Sequence, residues 1–212
     1  MNQQQLLAAT PRIEVCGGIA SGKTTLVSAV GHHMKTIYTP VFEDFSSNPF
    51  YLKFYSDPAK YAFEAEITFL IQHFSQINEC SVSNAVLLDY SLSLDLAYAY
   101  TTLMPSDRVL FESVLNRVLE KISKPSLILH VSCSVDTQYR RIIERGRPQE
   151  RNIPMSYLEN LNMSISRALG SNFFSDVPVI SVNSDVCDFR RREDGALIAE
   201  KIASIIDNNI IR

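Results

Sequence analysis

The stretch Gly17-Gly18-Ile19-Ala20-Ser21-Gly22-Lys23-Thr24 carries the strongest structural signal in this chain of 212 residues. It fits the pattern G-x-x-x-x-G-K-[ST], in which the backbone N–H groups of a glycine-rich loop (a P-loop) surround a phosphate. The apolar run Ile13–Cys16 before it predicts a buried strand, and the residues from Thr25 onward predict a helix whose N-terminus favours an anion. We expect Lys23 to reach the outer phosphates and the Thr24 hydroxyl to bind Mg²⁺. The stretch, together with Thr25, therefore predicts a binding site for a nucleoside triphosphate. The alternative is a glycine-rich turn whose lysine is exposed to solvent.

Strand-like apolar runs alternate with helix-length segments along the chain, which predicts a parallel sheet with crossover helices. The predicted strands are Ile13–Cys16, Thr36–Val41, Ala85–Asp89, Ser126–Val131 and Val177–Val182. The predicted helices are Lys23–Met34, Ala59–Glu79, Leu94–Leu103, Asp107–Ile122, Val135–Arg145, Pro154–Leu169 and Gly195–Ile206. In such sheets ligands lie at the carboxyl ends of the strands, which is where this arrangement brings the P-loop, Glu43 and Asp89 together.

Composition excludes several classes of protein. The chain is 46% hydrophobic and 20% charged, as globular proteins are, and its length suits one α/β domain over residues 1–212. The net charge of −3 disfavours a nucleic-acid partner, and the apolar runs are too short for a membrane span. The segment Met1–Arg12 has no apolar core of a secretory signal, and the four cysteines are scattered without a C-x-x-C pair. We therefore expect a cytoplasmic protein with reduced thiols.

Two carboxylates follow predicted strands and are candidates for chemistry. Glu43 could accept the proton of an attacking hydroxyl, or it could be a surface carboxylate at a strand end. Asp89 closes an apolar strand, as a metal-facing aspartate does in P-loop proteins, and the alternative is a helix cap.

Arginines crowd the segment from Arg140 to Arg151, which begins as a helix and ends near Gly146 and Pro148. Arginines on a hinged segment can close over a triphosphate and stabilise its developing charge. We predict that Arg141, Arg145 and Arg147 form such a lid, the alternative being a solvated charged face.

Further motifs extend this pattern. Glu43 is followed by Asn48-Pro49-Phe50, Tyr55-Ser56-Asp57-Pro58 leads into an aromatic helix, and the arginine segment is followed by Ile153-Pro154 and Tyr157-Leu158-Glu159. Together with the P-loop, the combination resembles the deoxynucleoside kinase family (deoxyadenosine, deoxyguanosine and deoxycytidine kinases) over nearly the whole chain.

The resemblance implies a three-layer α/β sandwich with a five-stranded parallel sheet in the order 2-3-1-4-5, helices on both faces and an arginine-rich lid over about residues 141–154. It implies a homodimer that uses ATP and Mg²⁺. It also implies that Glu43 is the general base on a nucleoside 5′-hydroxyl, that Asp89 lies near the metal, and that Tyr55 and Glu150 hold the sugar 3′-hydroxyl.

The chain departs from the family in the acceptor pocket. The family's [DE]-R-S motif reads Asp89-Tyr90-Ser91 in this chain. Glu66 replaces the glutamine with which the family reads the base, and His73 replaces an arginine of the same helix. The usual partner of that arginine, Asp95, is retained. An ionised Glu66 would only accept hydrogen bonds, which favours guanine and other donor-rich bases over thymine. The alternatives are that Glu66 points to solvent, or that His73 pairs with Glu66 or Asp95 and changes this preference.

These observations predict a kinase that transfers the γ-phosphoryl group of ATP to a small-molecule acceptor, the 5′-hydroxyl of a nucleoside. One alternative is a nucleotide-binding regulatory or structural subunit without kinase activity, because the pocket residues are altered. The other is a kinase for a modified nucleoside or another hydroxyl compound.

Overall fold

The computed structural model describes residues 11–80 and 85–210, and its centre is a five-stranded sheet. All neighbouring strands are parallel, and their order is β2-β3-β1-β4-β5. The strands are β1 (Arg12–Gly17), β2 (Tyr38–Val41), β3 (Ala85–Leu88), β4 (Leu127–Ser132) and β5 (Val179–Asn183). The predicted order and pairing are confirmed, and the ends of each predicted strand shift by at most two residues.

Helices cover both faces of this sheet. Within the described residues they are α1 (Lys23–Met34), α2 (Tyr51–Ser56), α3 (Pro58–Cys80), α4 (Leu92–Thr102), α5 (Pro105–Ile122), α6 (Val135–Arg145), α7 (Met155–Leu169) and α8 (Arg192–Ile210). One face packs α1 and α8 through Leu26 and Ile198, and the other packs α4 and α5 through Leu96 and Leu115. The predicted three-layer sandwich is therefore confirmed.

The central strand β1 contains a buried ion pair. The Nε of Arg12 donates to a Glu14 carboxylate oxygen at 2.7 Å, and the second oxygen accepts the Leu92 N–H at 2.9 Å. Arg12 also donates to the carbonyl of Ile122 at 3.2 Å. Because buried charges are costly without partners, this network ties β1 to the start of α4 and the end of α5. It thereby fixes the helix that carries Asp95 relative to the P-loop.

Three polar segments meet at the carboxyl edge of the sheet. The P-loop follows β1, Glu43 follows β2 and Asp89 follows β3, and the Asp89 N–H donates to the carbonyl of Val41 at 2.9 Å. The predicted juxtaposition follows from parallel strands, whose carboxyl ends share one edge.

The structure also bears on the predictions about the cysteines and about membrane spans. Cys16, Cys80, Cys133 and Cys187 are free thiols. No helix within residues 11–80 and 85–210 has the length and apolar character needed to cross a membrane. The prediction about a secretory signal concerns residues 1–12, of which 1–10 lie outside the described part of the chain.

Candidate active site

The P-loop adopts a conformation that its glycines permit. Gly22 has φ of 107°, a value that residues with a Cβ rarely adopt, and α1 begins at the next residue. A Cβ at Gly17 would lie 2.5 Å from the carbonyl oxygen of Val131 in the neighbouring strand. The loop therefore packs tightly against β4 and directs the N-terminus of α1 into a cleft, where an anion is favoured. This cleft is lined by Ala20, Ser21, Gly22, Lys23, Thr24, Thr25, Arg140, Arg141, Arg145 and Arg147, among others.

Lys23 and Arg141 contact the loop differently. The Lys23 ammonium donates to the carbonyl oxygens of Gly17 and Gly18 at 2.9 and 3.3 Å. The Arg141 guanidinium donates to the Ser21 carbonyl at 3.1 Å and to the Ser184 hydroxyl at 2.9 Å. Arg141 therefore stabilises the conformation of the P-loop. Lys23 donates to backbone carbonyl oxygens, and a bound phosphate can replace them as the acceptor.

Asp89 lies beside the P-loop with one oxygen unused. Its Oδ2 accepts the Thr24 hydroxyl at 2.7 Å, while its buried Oδ1 has no hydrogen-bond partner. Burial raises the pKa of Asp89 to about 6. The alternative role as a helix cap belongs instead to Ser91, whose hydroxyl accepts the Leu94 N–H.

The donor set at Asp89 fits Mg²⁺. Within the described residues no group of three or more His, Cys, Asp or Glu side chains could hold a metal on its own. Mg²⁺ needs no such group, because it binds through one or two carboxylates together with waters and substrate phosphates. The free Asp89 oxygen and the Thr24 hydroxyl supply the protein part of such a site.

A second cavity, called the aromatic cavity below, opens from the same cleft, and seven of its 21 lining residues are Phe or Tyr. It encloses about 970 Å³ including its open mouth. It shares Ala20, Lys23, Thr24, Arg145 and Arg147 with the P-loop cleft. Its wall also contains the predicted acceptor residues Glu43, Tyr55, Glu66, His73, Tyr90, Asp95 and Glu150, together with the predicted metal ligand Asp89 and Ile19 of the P-loop. The structure thus brings all predicted acceptor residues into one cavity.

Glu43 and Asp95 face opposite edges of the His73 ring. The Nδ1 of His73 lies 2.9 Å from an Asp95 oxygen, and its Nε2 lies 3.6 Å from a Glu43 oxygen. Burial alone would lower the pKa of His73, but Asp95 and Glu43 raise it to about 10. Glu43 is 27% exposed and lines the cavity, so the surface-carboxylate alternative does not describe it.

Glu66 is buried in the cavity wall, with 5% of its surface exposed. Its Oε1 accepts the Thr102 hydroxyl at 3.3 Å. Burial, followed by the charge of Asp95, raises its pKa to about 8. The alternative in which Glu66 points to solvent is therefore excluded, and burial favours the protonated form of its carboxyl group at neutral pH.

The arginine segment closes the cavity on one side. Arg145 and Arg147 both donate to the buried carboxylate of Glu150, and the Arg147 guanidinium lies 4.6 Å from the centre of the Phe45 ring. Burial, with smaller contributions from Tyr51 and Glu150, raises the pKa of Tyr55 well above its usual value. Glu150 therefore neutralises part of the charge of both arginines at the junction of the two cavities.

Sequence reasoning missed the aromatic wall of the acceptor cavity. The missed residues are Phe45, Tyr51, Phe54, Phe69 and Tyr98. The available signal is helical spacing, because Tyr51 and Tyr55 are four residues apart, as are Phe69 and His73. Both pairs are in ring contact.

Known proteins resemble this chain over nearly its whole length. The family model described as deoxynucleoside kinase matches residues 13–207. Deoxyguanosine kinase from Bacillus subtilis (strain 168) is 28% identical over 204 residues, which cover 92% of this chain and 98% of the relative. Deoxyadenosine kinase from Dictyostelium discoideum is 28% identical over 188 residues, covering 85% of this chain and 75% of the relative.

Solved structures share the fold. The structure of deoxyadenosine kinase from M. mycoides with bound dATP has a TM-score of 0.78 at 23% identity, covering 91% of this chain and 99% of that one. The resemblance inferred from the motifs is confirmed by a family match that spans nearly the whole chain. The chain therefore belongs to the deoxynucleoside kinase family, whose members are phosphotransferases with an alcohol group as acceptor.

Proposed function

We propose that the protein transfers the γ-phosphoryl group of ATP to the 5′-hydroxyl of a deoxynucleoside bound in the aromatic cavity. The observation that carries this proposal is that the phosphate cleft and the aromatic cavity share Lys23, Thr24, Arg145 and Arg147. A donor phosphate and an acceptor hydroxyl would meet at this junction, as in-line transfer requires. The relatives are named for deoxyguanosine and deoxyadenosine, so purine deoxynucleosides are the first acceptors to test.

In this reaction the acceptor oxygen forms a bond to the γ-phosphorus, and the bond from that phosphorus to the β–γ bridging oxygen breaks. ADP leaves, and Glu43 takes the proton of the hydroxyl. Lys23 neutralises the outer phosphates, while Arg145 and Arg147 stabilise the charge that develops in the transition state. Arg141 supports the same step by bracing the P-loop.

The remaining site residues hold the triphosphate, the metal ion, the sugar and the base. Residues 17–25 hold the triphosphate, and Thr24 and Asp89 hold Mg²⁺, which neutralises charge on the phosphates when bound. Tyr55 and Glu150 hold the 3′-hydroxyl of the sugar, and Glu66 faces the base. The chain acts as one kinase domain with residues 141–154 as its lid, and as a cytoplasmic homodimer. Light scattering at several protein concentrations tests the dimer.

The decisive experiment incubates purified protein with ATP, Mg²⁺ and a panel of natural and modified nucleosides, followed by detection of monophosphates. We expect Glu43→Gln to bind ATP as wild type does and to lower kcat by about 10²- to 10⁴-fold, as removal of a general base does. Arg117→Ala is the matched control, because this exposed side chain pairs with Glu120 on α5, outside both cavities.

Unchanged kcat in Glu43→Gln would remove Glu43 from the reaction. ATP binding without any monophosphate from the panel would instead support the regulatory-subunit alternative. Turnover of only a modified nucleoside would support the remaining alternative.

A further inference from the structure

His73 is the centre of a buried polar chain behind the candidate base. Only 3% of the residue is exposed, although it lines the acceptor cavity. Its Nδ1 lies 2.9 and 3.1 Å from the two oxygens of Asp95, and its Nε2 lies 3.6 Å from Glu43. Both ring nitrogens therefore face carboxylates, which leaves neither of them to read a base.

Aromatic neighbours fix the plane of this ring. Tyr90 stacks on it at a centroid distance of 4.0 Å and an angle of 10°, and Phe69 lies on it at 5.9 Å and 28°. A ring held by these contacts cannot rotate its edge away from Glu43 without losing Asp95. Phe69 on α3, Asp95 on α4 and Tyr90 after β3 therefore fix the orientation in which Nε2 of His73 points at Glu43.

The charges around His73 favour its doubly protonated form. A neutral imidazole has one N–H and could satisfy one carboxylate, whereas the imidazolium donates to both. The ionisable groups that face His73 or its two carboxylate partners are Glu14, Glu43, Glu66, Asp89, Tyr90, Asp95 and Tyr98. Glu66 and Tyr90 keep their protons at neutral pH, so the charges that act on the ring are those of the flanking carboxylates Asp95 and Glu43. They stabilise a cation at His73 and raise the pKa of His73 to about 10.

We propose that His73 is the positioning residue of Glu43: Asp95 holds one N–H of the imidazolium, and the other N–H points at the Glu43 carboxylate and keeps it at the entry point of the acceptor hydroxyl. The separation of 3.6 Å is that of an ion pair, and contacts of this kind shorten when substrate binds. Tyr90 stands where the resembled family has an arginine, and here a cation reaches Glu43 from α3 instead. This inference rests on the proposed function, because it assigns a partner to the proposed base.

A double-mutant cycle in kcat tests whether His73 acts through Glu43. We expect His73→Gln to lower kcat by about 10²-fold, the scale of a misplaced catalytic group, with little change in KM for ATP. In the Glu43→Gln background the same substitution should lower kcat further by less than about threefold, since there is no base left to position. If the two losses multiply, His73 supports the pocket independently of Glu43 and the proposal is wrong.

Tyr55→Phe provides the additive control for this cycle. This substitution keeps the ring and its packing on Tyr51 and Phe54, and removes the hydroxyl that would hold the sugar 3′-hydroxyl. Because Glu43 acts on the 5′-hydroxyl instead, the two losses in kcat should multiply. If the kcat losses multiply for Tyr55→Phe but not for His73→Gln, then His73 acts by positioning Glu43. General damage to the cavity would give the same result for both substitutions.

A second measurement is independent of turnover and of the folding of His73→Gln. In protein labelled with ¹⁵N-histidine, the ring nitrogens of His73 report its pKa in wild type and in Glu43→Gln. Because an opposite charge within a few ångströms shifts a pKa by one unit or more, we expect that of His73 to fall by about one unit in Glu43→Gln. The ring-nitrogen signals of His32, exposed on α1, should be the same in the two proteins.

Equal His73 pKa values in the two proteins would overturn the proposal, since Glu43 and His73 would then be uncoupled. If the nucleoside panel gives no product, the proposed function fails, while the titration still decides whether His73 holds Glu43.

Discussion

At the scale of single residues, Glu66 shows how burial changes the chemistry of a carboxyl group. From the sequence alone, an ionised Glu66 is expected to accept hydrogen bonds only, which would favour guanine over thymine. In the structure it is buried near Asp95, which raises its pKa to about 8, so at pH 7 it holds a proton. A protonated carboxyl both donates and accepts, as the amide of glutamine does. The substitution of the family's glutamine therefore preserves the hydrogen-bonding pattern at neutral pH.

We predict that Glu66 makes base preference depend on pH. Below pH 8 its donor and acceptor match the edge of adenine, where an amino group adjoins a ring nitrogen; above pH 8 the carboxylate matches the two adjacent donors of guanine. The ratio of kcat/KM for deoxyguanosine to that for deoxyadenosine should rise by about tenfold between pH 7 and 9, equivalent to one hydrogen bond. In Glu66→Gln the ratio should be flat. A flat ratio in wild type as well would mean that Glu66 does not contact the base.

The same residue has a consequence for stability. Between pH 4.5 and 8 the folded protein keeps the Glu66 proton while the unfolded chain loses it, so the free energy of unfolding decreases as pH rises through this range. Glu66→Gln removes this penalty and should stabilise the protein by roughly 3 kcal/mol at pH 7, with little effect at pH 4. Urea unfolding of both proteins at the two pH values measures this. An equal difference at both pH values would show that the effect comes from packing.

At the scale of elements, α1 and α3 mark what sequence can and cannot reveal. The bounds of α1 were predicted as Lys23–Met34 and are confirmed, because the glycines and Lys23 mark its start locally. In α3 the helical spacing of Phe63, Ile67, Leu70, Ile71 and Phe74 predicts a core-facing apolar stripe. Ile71 is nevertheless 46% exposed, while Glu66 and His73 are buried. Hydrophobic periodicity predicts that polar side chains face solvent. It therefore cannot identify a helix face whose polar side chains line a buried cavity.

Short elements and long-range partners were beyond local patterns. The six-residue helix α2 was missed because it spans less than two turns and lies directly before Pro58. The contact of Arg141 with Ser184 joins residues 43 positions apart, and nothing in the spacing of the arginines indicates it. The arginine cluster is visible in sequence, whereas the division between a loop-bracing Arg141 and cavity-facing Arg145 and Arg147 requires the fold.

The lid gives a prediction at this scale. Arg147 lines both cavities, which places its guanidinium at the junction where the phosphate would be transferred. Glu150 and the Phe45 ring hold it there, and Glu150 neutralises only part of its charge. Arg147→Ala should lower kcat by about 10²- to 10³-fold with a smaller change in ATP affinity, because the charge it stabilises develops mainly in the transition state. Steady-state kinetics together with calorimetric ATP binding separate the two effects. A loss of thermal stability with kcat unchanged would show that the arginine only supports the fold.

At the scale of the whole molecule, the phosphate cleft joins elements from both faces of the sheet. The P-loop starts α1 on one face, whereas Asp89 leads into α4 on the other. The Thr24–Asp89 hydrogen bond, at 2.7 Å, joins these two segments. A ligand that binds the folded cleft but not the unfolded chain therefore stabilises the whole molecule by mass action.

This linkage gives a prediction for Mg²⁺ and ATP that needs no knowledge of the acceptor. At an ATP concentration of about 100 times Kd, binding adds about 2.7 kcal/mol to the stability of the folded state. For a chain of this size each kcal/mol raises Tm by about 2–4 °C, so the expected shift is about 5–11 °C. Lys23→Ala should remove most of this shift, because the outer phosphates lose their charge partner. Lys121→Ala, an exposed lysine on α5, is the matched control and should retain the full shift. A full shift in Lys23→Ala would mean that the nucleotide binds elsewhere than the P-loop, and that result would count against the assignment of the whole site.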